Sequence, residues 1–188
     1  MTDNIDKYNK GNATVKNGAD DQKSDKTDNL ENNIEDNERK MVDVIIPTYR
    51  PAKEFGELLH RLEKQEYRPN RILVMNTGKE YWNSEWENYP LLEVHHLDQK
   101  DFDHGGTRKR AAELSTSDIM VFMTQDALPA DRKMIGNLVR AVSRNSGTGA
   151  AYARQLPKAD CRFLERYTRS FNYPEQSSVK SLPDVETY

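Results

Sequence analysis

The sequence predicts an α/β fold built on a doubly wound, mostly parallel sheet with helices on both faces. Three observations carry that prediction. Short apolar runs rich in β-branched residues alternate with segments of helical period. Turn residues stand at each change of period, and the polar clusters fall just past the carboxyl ends of the expected strands.

Residues 1–40 come before any of this. They hold ten acids and seven bases with only isolated apolar positions such as Ile5, Val15, Leu30 and Ile34. No face there can be buried, so a disordered polar tail is expected. Its excess of three acids equals the formal net charge of −3, which leaves the rest of the chain close to neutral. A neutral chain lacks the unpaired Lys and Arg patch that nucleic-acid binding rests on, and nucleic acid is excluded as the expected partner. The single Cys161 has no disulfide partner in the chain and is expected to be structural, in a helix and a reducing compartment. The amino terminus lacks an apolar signal core, and no run reaches the ~18 apolar residues of a membrane span. A cytoplasmic protein is expected, at most peripheral to the inner face of a membrane.

Order is expected to begin at Val42-Asp-Val-Ile-Ile, a buried parallel strand stopped by Pro47. Phe55, Leu58, Leu59 and Leu62 then recur at helical spacing after Pro51. Arg71 to Asn76 is a second buried strand, broken at Thr77-Gly78, and Leu91 to Leu97 is a third with the mixed pattern of an edge. A helix is expected over 106–115, a fourth strand over 119–124, and an amphipathic helix over 131–144 ended by Gly147. A fifth strand is expected over 149–154, the ordered domain running from 41 to 175 and a flexible polar end from 176 to 188.

The chemistry concentrates between residues 101 and 131. Asp-Phe-Asp-His-Gly-Gly-Thr-Arg leads into a helix, and Val-Phe-Met-Thr-Gln-Asp closes a strand on one carboxylate. Backbone amides at Gly105 and Gly106, a guanidinium at Arg108 and a metal-ligating Asp126 beside Gln125 are what a nucleotide-sugar diphosphate requires. Each has a plainer reading. Asp126 before Ala-Leu-Pro is also a good turn residue, though its place after a strand favours ligation. Arg108, Lys109 and Arg110 also suit a solvated helix flank with Glu113 as a partner. His104 suits a turn. Trp82 and Trp86, four apart, fit a packing stripe better than a sugar-stacking platform, and adjacent His95 and His96 point to opposite faces of a strand.

With these residues in order, the sequence resembles the amino-terminal half of a family 2 glycosyltransferase of the GT-A fold, most of all the bacterial rhamnosyltransferases. The similar stretches are Val44-Ile-Ile-Pro-Thr-Tyr-Arg, Phe102-Asp-His-Gly-Gly-Thr-Arg-Lys-Arg-Ala-Ala, Val121-Phe-Met-Thr-Gln-Asp-Ala-Leu-Pro, Ala153-Arg-Gln-Leu-Pro and Arg169-Ser-Phe-Asn-Tyr-Pro. The first alone is unspecific; five in order over about residues 41–175 are not.

The resemblance implies transfer of a sugar, rhamnose from dTDP-rhamnose, to a polysaccharide or lipid-linked glycan acceptor, with inversion and a divalent cation, Mg²⁺ or Mn²⁺. It implies that Pro47, Thr48 and Tyr49 lie along base and ribose. Asn76 stands where many relatives have a base-reading acid. Asp126 falls on the last acid of the family's Asp-x-Asp motif, while Thr124 occupies the first. One carboxylate suffices for a weak site, since such cations accept water elsewhere. The general base that deprotonates the acceptor lies, in relatives, in the other half, so it is expected beyond Tyr188 in a chain that is truncated or completed by another. The alternative is a non-catalytic nucleotide-sugar-binding or interaction module. A nucleotidyltransferase is the third reading, weakened because Pro47-Thr-Tyr-Arg-Pro is not a glycine-rich loop.

Overall fold

The computed structural model describes residues 39–158, 160–181 and 183–184. The expected tail lies, but for its last two residues, outside them.

Four strands form one parallel sheet: β1 (Val42–Tyr49), β2 (Arg71–Thr77), β3 (Leu92–Leu97) and β4 (Ile119–Phe122), in the order β3-β2-β1-β4. Among the described residues four α-helices accompany them: α1 (Glu54–Glu63), α2 (His104–Leu114), α3 (Met134–Val142) and α4 (Phe163–Asn172). β1 and β2 are buried along nearly their whole length, which is why they read as unbroken apolar runs, whereas β3 is half-buried at an edge.

Alternation along β1 and β2 separates two cores. Val42, Val44, Ile46, Ile72 and Val74 meet Phe55, Leu58, Leu59 and Leu62 of α1 and Ile135 and Val139 of α3. Ile45, Leu73 and Met75 meet Leu97 of β3 and Ala111 of α2. Helices therefore cover both faces, as a doubly wound sheet requires.

Several expected boundaries shift, and β4 ends at Phe122 rather than at 124. β1 does not stop at Pro47 but runs to Tyr49. In a parallel strand both backbone groups of a residue face one neighbour, and Ile45 faces β4, its carbonyl accepting from Met123 N at 3.0 Å. Pro47, two residues on, faces the same way, but pairing with β4 ends at Ile45 and Phe122, so its missing N–H costs no ladder bond. α2 begins at His104 rather than 106 because Asp103 caps it. α3 is shorter than expected, since the Asp131 carboxylate first accepts from Lys133 N at 2.8 Å in a turn. Gly147 lies beyond that helix in a separate turn, its amide donating to Asn145 Oδ1 at 3.0 Å.

The fifth strand does not form: residues 149–154 are irregular. Gly149-Ala-Ala offers little side chain to bury, and the large apolar group of the segment, Tyr152, is 72% exposed. Trp82 and Trp86 pack as a stripe, but from two short 3-10 turns, edge-on to Phe55 and to each other. Cys161 precedes α4 rather than lying within it.

At the amino-terminal edge of the sheet, buried Asp43 accepts from Arg71 Nη2 at 2.8 Å, Ser115 Oγ at 2.7 Å and Asn70 Nδ2 at 3.3 Å. Arg71 also pairs with Glu93 at 2.7 Å. At the other edge, β2 is followed by Gly78, whose φ of +80° favours glycine and whose absent Cβ would lie 3.0 Å from the Tyr81 ring. Gly78→Ala is expected to cost about 1–2 kcal/mol from the left-handed backbone, measured by urea unfolding.

Candidate functional site

The strand order places a topological switch between β1 and β4: the chain steps outward through β2 and β3, then returns to the opposite side of β1. Ligands of such sheets bind past the carboxyl ends of the strands at that crevice. Its walls are Thr48 and Tyr49 at the end of β1, Arg50 just beyond them, and Met123 to Asp126 after β4.

Gln125 spans it. Its Oε1 accepts from Tyr49 N at 2.8 Å and its Nε2 donates to Tyr49 O at 3.1 Å. Tyr49 faces the side where β4 has already ended, so the carboxamide takes the place of the missing strand neighbour. The polar groups of Gln125 are thus committed to backbone, and they fix the loop that carries Asp126. That carboxylate is exposed, at a turn in which Ala127 N donates to Thr124 O at 3.2 Å. Among the described residues no three His, Cys, Asp or Glu side chains converge as metal ligands. One exposed carboxylate fits a cation that arrives bound to a diphosphate, which needs a single protein oxygen and keeps water for the rest.

Asn76 is fully buried at the end of β2. Its Oδ1 accepts from Thr48 Oγ1 at 2.9 Å, and its Nδ2 lies 3.0 Å from His96 Nδ1 and 3.4 Å from Gly78 O. With the amide so oriented, His96 Nδ1 is the acceptor. Burial, with the charge of Lys79 nearby, holds the His96 imidazole below its ordinary pKa despite the opposing Glu87, which keeps it neutral in this role. Asn76 and Thr48 therefore brace the strand ends. Thr77 beside them is buried with its hydroxyl unpartnered.

The glycine pair lies inside the first turn of α2. The amide of Gly106 donates to the Asp103 carboxylate, and Thr107 N to Asp103 O at 2.9 Å. A Cβ on Gly106 would come within 3.0 Å of that carboxylate, so the capping acid itself explains this glycine. Arg108 Nη1 donates back to His104 O at 2.8 Å, and the His104 ring meets Phe102 edge-on at 5.0 Å.

One cluster escaped the sequence reading. Arg50, at a φ of 47°, lies over the rings of Tyr81 at 4.4 Å and Tyr49 at 5.1 Å and donates to Tyr81 Oη at 2.8 Å. Both rings are half exposed at the mouth of the crevice. Tyr81 comes 31 residues after Arg50, and only the Gly78 turn hints that the chain folds back there. The Arg154–Gln155 stretch borders a different feature, an open groove of about 530 Å³ along α4.

Residues 43–185 match the family described as Glycosyl transferase family 2. The chain is 36% identical over 152 residues to the O-antigen chain rhamnosyltransferase RfbN of Salmonella typhimurium, covering 77% of this chain and 46% of that protein. It is 27% identical over 145 residues to the O-antigen chain rhamnosyltransferase WbaN of Salmonella anatum, covering 76% and 46%. The chain thus spans about half the length of these relatives. Among solved structures, residues 1–349 of S. aureus TarS align with a TM-score of 0.47 at 17% identity, over 63% of this chain and 40% of that one. The mannosyltransferase PcManGT from Pyrobaculum calidifontis, solved with GDP-Man and Mn²⁺, aligns with a TM-score of 0.46 at 24% identity, over 54% and 32%. Among the described residues no helix is long and apolar enough to cross a membrane.

Proposed function

The chain belongs to glycosyl transferase family 2, related to O-antigen rhamnosyltransferases, and from that premise we propose that its β1–β4 crevice binds the diphosphate end of a nucleotide-sugar donor. The observation that carries the reading is the Gln125–Tyr49 clasp, which holds an exposed carboxylate, Asp126, at the switch point of the sheet. The donor is dTDP-rhamnose and the acceptor a polysaccharide or lipid-linked glycan; the relatives' names support the rhamnose and the glycan. Work at the inner face of the plasma membrane follows from such an acceptor.

In this proposal the chain's residues divide into contacts and supports. Pro47 and Tyr49 lie along base and ribose, and Tyr81 extends that aromatic wall. Arg50 adds positive charge at the mouth. Asn76, Thr48 and Gln125 hold the strand ends in place, and the unpartnered Thr77 hydroxyl is the group at the end of β2 with a hydrogen bond left to make. Arg108 and the first-turn amide of Gly105 face anionic oxygens from α2, where the helix dipole favours negative charge; the Gly106 amide is already engaged. Asp126 holds Mg²⁺ or Mn²⁺, which when bound supplies charge neutralisation for the departing diphosphate. The transfer inverts the sugar, and the base that takes the acceptor proton belongs to the part of the relatives that this chain does not span.

Titration calorimetry with dTDP tests this. Binding is expected to strengthen with Mn²⁺, and Asp126→Ala to remove that gain, about tenfold in affinity, the scale of one ion–carboxylate contact worth ~1.4 kcal/mol. A well-folded protein that binds no dTDP with or without Mn²⁺ would end the reading. A non-catalytic module is the second reading, favoured by Thr124 at the first position of the metal motif. Turnover of donor with a glycan acceptor excludes it.

A further inference from the structure

Helix α4 presents apolar side chains that no described residue of the chain covers. Phe163, Leu164, Tyr167 and Phe171 are 81, 72, 60 and 76% exposed, and none belongs to either core of the sheet. The rings of Phe163, Tyr167 and Phe171 recur every fourth residue and line up nearly parallel, with centroids 6.4 Å apart and interplanar angles of 25° and 17°. Such a row already stands in one arrangement, so a partner that covers it orders few further rotamers. Monomeric proteins rarely leave contiguous apolar surface of this kind bare.

We infer that the aromatic face of α4 is a docking surface for polypeptide of the kind that makes up the remaining half of the O-antigen rhamnosyltransferase relatives, carried on the same chain or on a second one. Length argues for this occupant. Each relative matches this chain over only 46% of itself, so about half of a relative has no counterpart here and is polypeptide on hand to cover what this chain presents. The way α4 is fastened agrees. It is joined to the preceding segment by polar and rim contacts: Arg169 to Gln155 at 2.8 Å, Arg154 to Glu175 at 3.3 Å, and Tyr152 edge-on to Tyr173 at 6.2 Å. These hold the helix in place while its apolar face stays outward.

Hydroxyl-radical footprinting read by mass spectrometry tests the surface without reference to nucleotide binding, so its failure and that of the donor-site reading are separate results. The probe is the portion of Salmonella typhimurium RfbN without a counterpart in this chain, added in trans and, separately, fused after Tyr188. Oxidation of Phe163, Tyr167 and Phe171 is expected to fall several-fold in the complex and in the fusion, while Tyr81 at the crevice mouth keeps its labelling. Tyr167→Ser together with Phe171→Ser is expected to weaken association in trans by roughly thirtyfold, as the loss of an aromatic anchor does, with an unchanged thermal melt. Three results overturn the inference: rings labelled as heavily in the fusion as in the 188-residue protein alone, protection that appears on self-association of this chain, or protection only with phosphatidylglycerol vesicles.

Discussion

Asp43→Ala is expected to lower the unfolding free energy by about 3 kcal/mol, a large share of the 5–15 kcal/mol typical of a domain. The Asp43 side chain is wholly buried and gathers Arg71, Ser115 and Asn70 around one carboxylate, joining β1, β2 and the segment that leads into β4. Its removal leaves a partly buried guanidinium with only Glu93 and a carbonyl, and a serine hydroxyl without its acceptor. Urea unfolding at pH 7 measures the loss; a change within a few tenths of a kcal/mol would show that the cluster is dispensable.

The same carboxylate sets an acid limit. Burial alone would raise its pKa, but the hydrogen bonds from Arg71, Ser115 and Asn70, with the Arg71 charge, together outweigh it and hold the group below the ordinary carboxylate value. Glu93 is lowered too, by His95 first and then Arg71. For groups depressed on folding, the stabilisation is complete above the unfolded-state pKa of about 4 and is lost as pH falls through the lower folded value. His96 acts earlier. Its folded pKa is also depressed, so its contribution is complete above about pH 6.5 and declines below it as the ring takes a proton and Asn76 loses an acceptor. Acid unfolding of the wild type should therefore show a mild loss below about pH 6.5 and a steep one below about pH 4. Asp43→Asn should flatten the second stage.

Phe55→Ala is expected to cost about 3–5 kcal/mol, the range for deleting a buried aromatic. The Phe55 ring packs edge-on to Trp86 at 5.1 Å and Trp82 at 5.8 Å, and Trp82 packs on His96 at 5.9 Å. His96 in turn bonds Asn76, which bonds Thr48. A cavity at Phe55 should thus loosen the ends of β1 and β2 as well as the core. The expected readouts are a lowered urea midpoint and weaker dTDP binding in protein still folded. A variant that loses stability but keeps full affinity would show that the strand ends are held without the aromatic cluster.

The existence of β1 to β4 and α1 to α3 was legible, most plainly from the apolar runs of β1 and β2 and the helical period of α1 and α3, and the helices fall on both faces as the alternation implied. The fifth strand was misread because β propensity cannot say whether a neighbour is present to pair with. The site was legible as a set of strand ends, less so as a set of roles. Gln125 read as a ligand contact from its place past β4, and Asn76 because the resemblance puts it where many relatives have a base-reading acid. The structure shows their polar groups turned onto Tyr49 and Thr48. Gly106 read as room for a phosphate, yet the carboxylate three residues before it fills that room.

Period and composition along the chain were enough to determine the doubly wound sheet, the two buried central strands and the position of Asp126 after the fourth. These follow from which side chains leave water, a property each segment carries in itself. Which polar atoms are already satisfied was decided only in three dimensions, as was the pairing of Arg50 with Tyr81 and the bare face of α4. A hydrogen bond or a ring contact depends on a partner 20 to 76 residues away, and no local pattern encodes that distance.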